Sequence, residues 1–132
     1  MAKVLLIEDD RYMAATVEKM LSQAGYEVTR VENGVSGLES FAAFQPDIVI
    51  TDIVMPDQDG LETIAGLLKL TPDFPILAVS GGGRTGHTGF LAAARKAGAV
   101  EVLAKPFRLD ALLSAVARCL SRGKVAQRSA CG

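Results

Sequence analysis

The chain has 132 residues, enough for one domain with a hydrophobic core but too few for such a domain plus a separate output domain. With 14 Lys and Arg against 15 Asp and Glu, its formal net charge is -1, so it lacks the basic field that attracts nucleic acid. No apolar stretch approaches the roughly 18 to 20 residues of a membrane span, and no signal-peptide core begins the chain. We therefore expect one soluble, cytoplasmic unit that binds neither nucleic acid nor membrane directly.

Five short apolar runs alternate along the chain with segments of helical periodicity. The runs span 3–8, 27–31, 47–52, 75–80 and 100–104. Strands that alternate with helices are typical of a parallel sheet covered by helices on both faces. The sequence therefore predicts an α/β fold built from five βα units.

The first two predicted helices have clear ends. The first ends at Gly25, which suits the left-handed position after a helix, and begins after Asp10, which we interpret as a cap. Its apolar stripe comprises Met13, Val17, Met20, Leu21 and Ala24. The second follows the turn Asn33-Gly34 and ends before Pro46, because a proline disfavours helical backbone in the preceding residue. Its predicted inward residues are Val35, Leu38, Phe41 and Ala42.

The third predicted helix begins with Asp59 as cap and Glu62 as its reciprocal partner, a capping-box arrangement. The fourth spans about Thr88 to Ala97 and stops at Gly98. The fifth has apolar residues at i, i+3 and i+4 spacing. These are Leu109, Leu112, Leu113, Val116, Ala117 and Leu120.

No apolar stripe continues into the last residues of the chain. We therefore predict a folded domain over 1–121 and a disordered tail over 122–132. Cys119 and Cys131 do not form a disulfide framework or a metal-ligand spacing, so we expect both to be thiols.

Polar side chains stand at the ends of four of the apolar runs. Glu8 and Asp9 end the first, Asp52 the third, Ser80 the fourth and Lys105 the last. If each run is a parallel strand, all five side chains lie at the carboxyl edge of one sheet, where open α/β folds bind ligands. The sequence therefore predicts a functional site at this edge.

The residue types at this edge indicate phosphoryl chemistry. Three adjacent carboxylates repel one another, and Mg²⁺ relieves this because it prefers oxygen ligands and is often shared between carboxylates and a phosphate. No His or Cys accompanies the acids, which favours Mg²⁺ over Zn²⁺. Lys105 and the Ser80 hydroxyl can then contact phosphoryl oxygens. We interpret Asp52 as the phosphoryl acceptor, with Glu8 and Asp9 as metal ligands.

With these residues the chain resembles, over about Lys3 to Ser121, the CheY-like receiver domain of two-component response regulators in its single-domain form. The resemblance rests on Glu8-Asp9, the stretch 52–56 (Asp-Ile-Val-Met-Pro) with Gly60, Ser80, and the motif Lys105-Pro106-Phe107. It implies a flavodoxin-like, doubly wound (βα)5 sandwich with a five-stranded parallel sheet in the order 2-1-3-4-5.

The resemblance also implies a function. Asp52 would accept a phosphoryl group from the phosphohistidine of a sensor histidine kinase or a phosphotransfer protein. Mg²⁺ would be held by Asp9, Asp52 and the backbone carbonyl of Val54, with Glu8 acting partly through water. The domain would catalyse only its own phosphorylation and dephosphorylation, rather than act as an enzyme, and would signal to a downstream protein through protein contacts.

Two features depart from the pattern of the family. Receivers usually carry Tyr or Phe three residues before the lysine, where this chain has Val102. The loop after Ser80, residues 81–87, is longer and richer in glycine than is typical, and we expect it to be mobile. We hypothesise that reordering of this loop replaces the motion of the missing ring.

Three alternatives compete with this function. A pseudo-receiver that binds partners without phosphorylation is favoured by Val102 but disfavoured by the intact acids, Ser80 and Lys105. An aspartyl-phosphate phosphatase needs an acid two residues after its nucleophile, where this chain has Val54. A flavin-binding protein is disfavoured because the acidic run 8–10 would repel a cofactor phosphate.

Overall fold

The computed structural model describes residues 2–53, 60–80, 87–105 and 107–131, with the backbone alone for Gly60, 87–91 and 122–131. Strands and helices alternate through these residues. The strands are β1 (Lys3–Ile7), β2 (Glu27–Val31), β3 (Ile48–Asp52), β4 (Ile76–Ser80) and β5 (Glu101–Ala104). The helices are α1 (Arg11–Gln23), α2 (Gly34–Phe44), α3 (Gly60–Leu70), α4 (His87–Ala97) and α5 (Leu109–Cys131).

The five strands form one parallel sheet in the order β2-β1-β3-β4-β5. In this sheet Ile7 lies opposite Val31 of β2 on one side and Thr51 of β3 on the other. The chain therefore winds in opposite directions from β1, and a crevice opens beyond the carboxyl ends of β1 and β3. The flavodoxin-like strand order predicted from the resemblance is confirmed.

Helices cover both faces of the sheet. Helices α1 and α5 pack on the face that carries Val4 and Leu6, and α2, α3 and α4 pack on the face that carries Leu5 and Ile7. Strands β3 and β4 are buried along their whole length, and β1 is buried from Val4 onward. Burial on both faces explains why these strands have continuous rather than alternating apolar sequences.

The start of α1 is fixed by a side-chain cap. Asp10 has extended backbone, and its carboxylate accepts hydrogen bonds from the backbone N–H groups of Tyr12 at 3.0 Å and Met13 at 3.2 Å. These bonds satisfy two of the donors that a helix N-terminus leaves without partners. The predicted capping role of Asp10 is confirmed, whereas Asp59, the predicted cap of α3, lies outside the described residues.

The predicted inward face of α2 is partly wrong. Val35 is 53% exposed and Ala42 is also exposed, whereas Gly37 is buried against Ile7. A Cβ atom on Gly37 would overlap the Ile7 side chain, so the helix approaches the sheet through this glycine. Apolar periodicity misses such a contact because glycine contributes no apolar side chain. The other two predicted residues, Leu38 and Phe41, do pack against the core.

Helix α5 continues past the point where its apolar stripe ends. Its buried residues are Leu112, Ala115, Val116 and Cys119. Leu109 and Ala117, both predicted to face inward, are exposed instead. The backbone is helical through Cys131, and the division into a domain over 1–121 and a disordered tail over 122–132 stays a prediction. Among the described helices, none is long and apolar enough to span a membrane.

Candidate functional site

The sheet brings the predicted polar residues to its carboxyl edge. Glu8 and Asp9 directly follow β1, Asp52 is the last residue of β3, and Ser80 is the last residue of β4. Lys105 follows β5, and its backbone N–H donates a hydrogen bond to the Ser80 carbonyl at 2.8 Å. Since β1, β3, β4 and β5 are successive neighbours in the sheet, these residues line one continuous edge.

Three carboxylates converge at this edge. Glu8, Asp9 and Asp52 each place an oxygen within 4.8 Å of the others. Glu8 is 3% exposed and Asp52 is 5% exposed, whereas Asp9 faces solvent. The cluster is therefore buried on one side and open on the other. A set of carboxylate oxygens with this access could hold a metal ion, and its ligand type fits Mg²⁺.

Lys105 bridges the two buried acids. Its Nζ lies 2.5 Å from Glu8 Oε1 and 3.5 Å from Asp52 Oδ2. The Lys105 side chain is only 11% exposed, so its ammonium group depends on these carboxylates to offset the loss of water. The sequence predicts that Lys105 contacts a phosphoryl oxygen. It does not predict the close pair that Lys105 forms with Glu8 in the structure.

Both carboxylate oxygens of Glu8 have partners. Oε1 contacts Lys105, and Oε2 accepts a hydrogen bond from the Asp10 backbone N–H at 3.2 Å. Burial raises the pKa of Glu8 from 4.5 to about 7, the hydrogen bond from Lys105 opposes this, and the neighbouring Asp52 carboxylate adds to it. A metal ion coordinated by Glu8 would therefore share this carboxylate with the Lys105 ammonium group and the Asp10 N–H.

Two buried hydroxyl residues flank Asp52. Thr51 Oγ1 donates a hydrogen bond to the Asp52 backbone carbonyl at 3.0 Å. Ser80 is 1% exposed and lies one residue beyond Val79, which is opposite Asp52 in the register of β3 and β4. Nothing in the sequence singles out Thr51, because a β-branched residue in a strand is ordinary.

Some predicted features fall outside the described residues. These are the Val54 carbonyl, predicted as a metal ligand, and residues 81–86 of the glycine loop. Val102 is described: it lies on β5 opposite Ala78, is half-buried, and packs against the core beneath α2, α3 and α4. The position where the family usually carries an aromatic ring therefore holds a short side chain in contact with the core.

A five-stranded parallel sheet in this order defines the flavodoxin-like class of α/β domains, and this chain adds a cluster of acids at the carboxyl ends of β1 and β3. The family model described as the response regulator receiver domain matches residues 4–117. The chain belongs to this family.

Individual relatives agree with the family match. The chain is 32% identical over 117 residues to the chemotaxis protein CheY of Listeria monocytogenes, covering 88% of this chain and 96% of the relative. It is 34% identical over 123 residues to the response regulator MprA of Mycobacterium ulcerans, covering 93% of this chain but 52% of that longer protein. It thus spans nearly all of one relative and about half of the other.

Solved structures show the same fold. A receiver domain protein from Clostridium thermocellum superposes with a TM-score of 0.88 at 29% identity, over 96% of this chain and 99% of that one. A response regulator from Chloroflexus aurantiacus superposes with a TM-score of 0.83 at 32% identity, over 91% and 98%. Both similarities extend over almost the whole of each chain.

Proposed function

We propose that this protein is a phosphorelay receiver whose Asp52 accepts a phosphoryl group from the phosphohistidine of a sensor histidine kinase or a phosphotransfer protein. The observation that carries the proposal is the position of Asp52. Its carboxylate is nearly buried, lies in a cluster with Glu8 and Asp9, and has the Lys105 ammonium group 3.5 Å away. A nucleophile with acids on one side and a cation on the other suits phosphoryl transfer.

The transfer would proceed at one Asp52 carboxylate oxygen. That oxygen forms a bond to phosphorus while the bond from phosphorus to the donor histidine nitrogen breaks, and the donor imidazole leaves. Lys105 would donate a hydrogen bond to a phosphoryl oxygen, which requires its Nζ to move from Glu8. The Ser80 hydroxyl, at the end of the adjacent strand, would donate to another phosphoryl oxygen.

The same edge would hold the metal ion. Asp9 and Asp52, with the backbone carbonyl of Val54, would hold Mg²⁺, and Glu8 would contribute partly through water. When bound, Mg²⁺ supplies positive charge that offsets the carboxylates and the phosphoryl oxygens.

The phosphorylated domain would signal through contacts with a downstream protein in the cytoplasm. The receiver family is a family of signalling domains. Catalysis by this chain would be limited to its own phosphorylation and to later hydrolysis of the Asp52 phosphate.

A small phosphorus–nitrogen compound tests the donor chemistry without the cognate kinase. Phosphoramidate carries the same type of bond as phosphohistidine, so incubation with Mg²⁺ should label wild-type protein at Asp52. Asp52→Asn and wild type with chelator should remain unlabelled. Label that persists in Asp52→Asn would contradict the assignment of the acceptor.

One observation favours a second candidate, a pseudo-receiver that binds partners without phosphorylation. Val102 has no ring to change position on phosphorylation, and it packs against the core. A wild-type chain that stays unlabelled by phosphoramidate with Mg²⁺, while still folded, would favour this candidate.

A further inference from the structure

One buried hydroxyl group beside the acceptor has no part in the phosphoryl transfer described above. Thr51 directly precedes Asp52 and is fully buried in β3. The strand begins with Ile48-Val49-Ile50, so for packing alone a valine would suit position 51 as well as threonine does. A buried hydroxyl lowers stability unless it forms a hydrogen bond. The bond that Thr51 forms therefore indicates what its hydroxyl does.

The Thr51 hydroxyl contacts the backbone of the acceptor. Its Oγ1 donates a hydrogen bond to the Asp52 carbonyl oxygen at 3.0 Å. Successive side chains of a strand point to opposite faces of the sheet, and Val49 and Ile53 pack on the face that α2, α3 and α4 cover. Thr51 shares that face, whereas Asp52 belongs to the opposite one. Thr51 thus acts on the site through the Asp52 backbone.

This bond holds the peptide group that follows the acceptor. That group consists of the Asp52 carbonyl and the Ile53 N–H, and the N–H donates to the Val79 carbonyl of β4 at 2.9 Å. The register between β3 and β1 ends at Thr51, one residue before Asp52. The Thr51 hydroxyl supplies a donor where that pairing has ended. Both polar atoms of the peptide group are therefore hydrogen-bonded.

The orientation of this peptide group affects where the Asp52 carboxylate lies. The group is planar, so its rotation would move the Asp52 Cα and the side chain with it. One carboxylate oxygen lies 3.5 Å from Lys105 Nζ, and the carboxylate offers an oxygen within 4.8 Å of those of Glu8 and Asp9. A misplacement of about 1 Å at a reacting group can slow a reaction by about a hundredfold.

We propose that Thr51 is a positioning residue: its hydroxyl holds the peptide group after Asp52, so that the Asp52 carboxylate is placed for Mg²⁺ and for the phosphoryl group. This inference rests on the proposed function of Asp52. Its consequence is that the chemistry at Asp52 depends on a hydrogen-bond donor at position 51 rather than on the volume of the side chain there.

Three substitutions separate hydrogen bonding from packing. Thr51→Ser keeps the hydroxyl and loses the methyl group, Thr51→Val keeps the shape and loses the hydroxyl, and Thr51→Cys carries a thiol, which is a weak donor. The rate of phosphorylation by a small acyl phosphate at saturating Mg²⁺ should be about tenfold lower in Thr51→Val, the loss of one hydrogen bond. Thr51→Ser should match wild type, and Thr51→Cys should lie between. A packing role predicts that Thr51→Ser is impaired more than Thr51→Val, because serine leaves a cavity.

The Mg²⁺ affinity of the unphosphorylated protein is a second readout, which needs no phosphoryl transfer. The rise of the thermal midpoint with Mg²⁺ concentration measures it. Thr51→Val should bind Mg²⁺ about fivefold more weakly than wild type, and Thr51→Ser should bind it equally well. Thr63→Val is the matched control, since Thr63 is also fully buried but lies on α3. Its phosphorylation rate and Mg²⁺ affinity should equal those of wild type.

The outcomes distinguish this inference from the proposed function. A wild type that acquires no phosphoryl group would contradict the proposed function, and the Mg²⁺ affinities would still decide whether Thr51 positions Asp52. The inference is overturned if folded Thr51→Val matches wild type in both readouts, or if Thr51→Ser is impaired as much as Thr51→Val. If Thr51→Val does not fold, Thr51→Cys decides: values equal to those of wild type in both readouts overturn the inference.

Discussion

Lys105 Nζ lies 2.5 Å from Glu8 Oε1, although 97 positions separate the two residues in the chain. Lys105 follows β5 and Glu8 follows β1, so the lysine side chain reaches back across the ends of β4 and β3. On the way it passes within 3.5 Å of Asp52. The ion pair between Lys105 and Glu8 thus spans the site from β5 to β1 and lies next to Asp52, the proposed phosphoryl acceptor.

Removal of the Lys105 charge should destabilise the fold in a pH-dependent way. Lys105→Met takes the cation from two buried carboxylates, which should lower the free energy of unfolding by about 3 kcal/mol at pH 8. The loss should shrink at pH 5.5, where Glu8 can take up a proton. Denaturant unfolding with chelator measures both values, and Lys96→Met, on the exposed surface of α4, is the control. Equal stability of Lys105→Met and wild type at pH 8 would contradict this account.

The raised pKa of Glu8 predicts a specific dependence of stability on pH. Glu8 has a pKa near 7 in the folded state and 4.5 in the unfolded state, so it binds more protons when the protein is folded. Its contribution to the free energy of unfolding is therefore largest below pH 4.5. As pH rises from 4.5 to 7, about 3 kcal/mol of stability should be lost at this group. The Glu8→Gln variant lacks this titrating group and therefore lacks its pH-dependent contribution to stability.

The measurement is the difference between wild type and Glu8→Gln, unfolded in denaturant across pH 4 to 8 with chelator. Carboxylates far from Glu8 titrate equally in both proteins and cancel. The variant should gain stability relative to wild type as pH rises through this window. A difference that does not change with pH would show that Glu8 titrates normally.

Asp9 should oppose stability without metal and support metal binding. Asp9→Asn removes one of three clustered negative charges, so its thermal midpoint in chelator should rise slightly above that of wild type. The gain is small because Asp9 is exposed and its repulsion is screened. The same variant should lose the stabilisation that Mg²⁺ gives wild type. A lower midpoint in chelator would contradict the repulsion argument.

The contact between α2 and the sheet should tolerate no side chain at Gly37. Alanine favours a helix over glycine, but a Cβ at Gly37 would overlap Ile7 in the packed core. Gly37→Ala should therefore be about 2 kcal/mol less stable than Gly66→Ala, the matched control on α3. At Gly66 the new Cβ would meet only the flexible end of Leu38, at 3.2 Å. Denaturant unfolding measures the stability of both variants. Equal stabilities would contradict the predicted overlap at Gly37.

The sequence predicts the sheet well because buried parallel strands leave long apolar runs. The fourth run, 75–80, corresponds to a strand at Ile76–Ser80, and the polar residue at its end lies at the predicted edge. The face of α2 is predicted less well, because it approaches the sheet through Gly37 rather than Val35. The contact between Glu8 and Lys105 also escapes prediction, since it depends on how far a lysine side chain reaches across two intervening strands.

The most direct test of the central claim is intact-mass analysis after incubation with a small acyl phosphate and Mg²⁺. Asp52 is the proposed acceptor, so wild type should gain a single phosphoryl adduct, and Asp52→Asn should gain none. Chelation of Mg²⁺ should prevent the adduct in wild type. Asp47→Asn, a matched substitution away from the cluster, should be modified like wild type. An unmodified wild type, or an adduct that survives Asp52→Asn, would contradict the account.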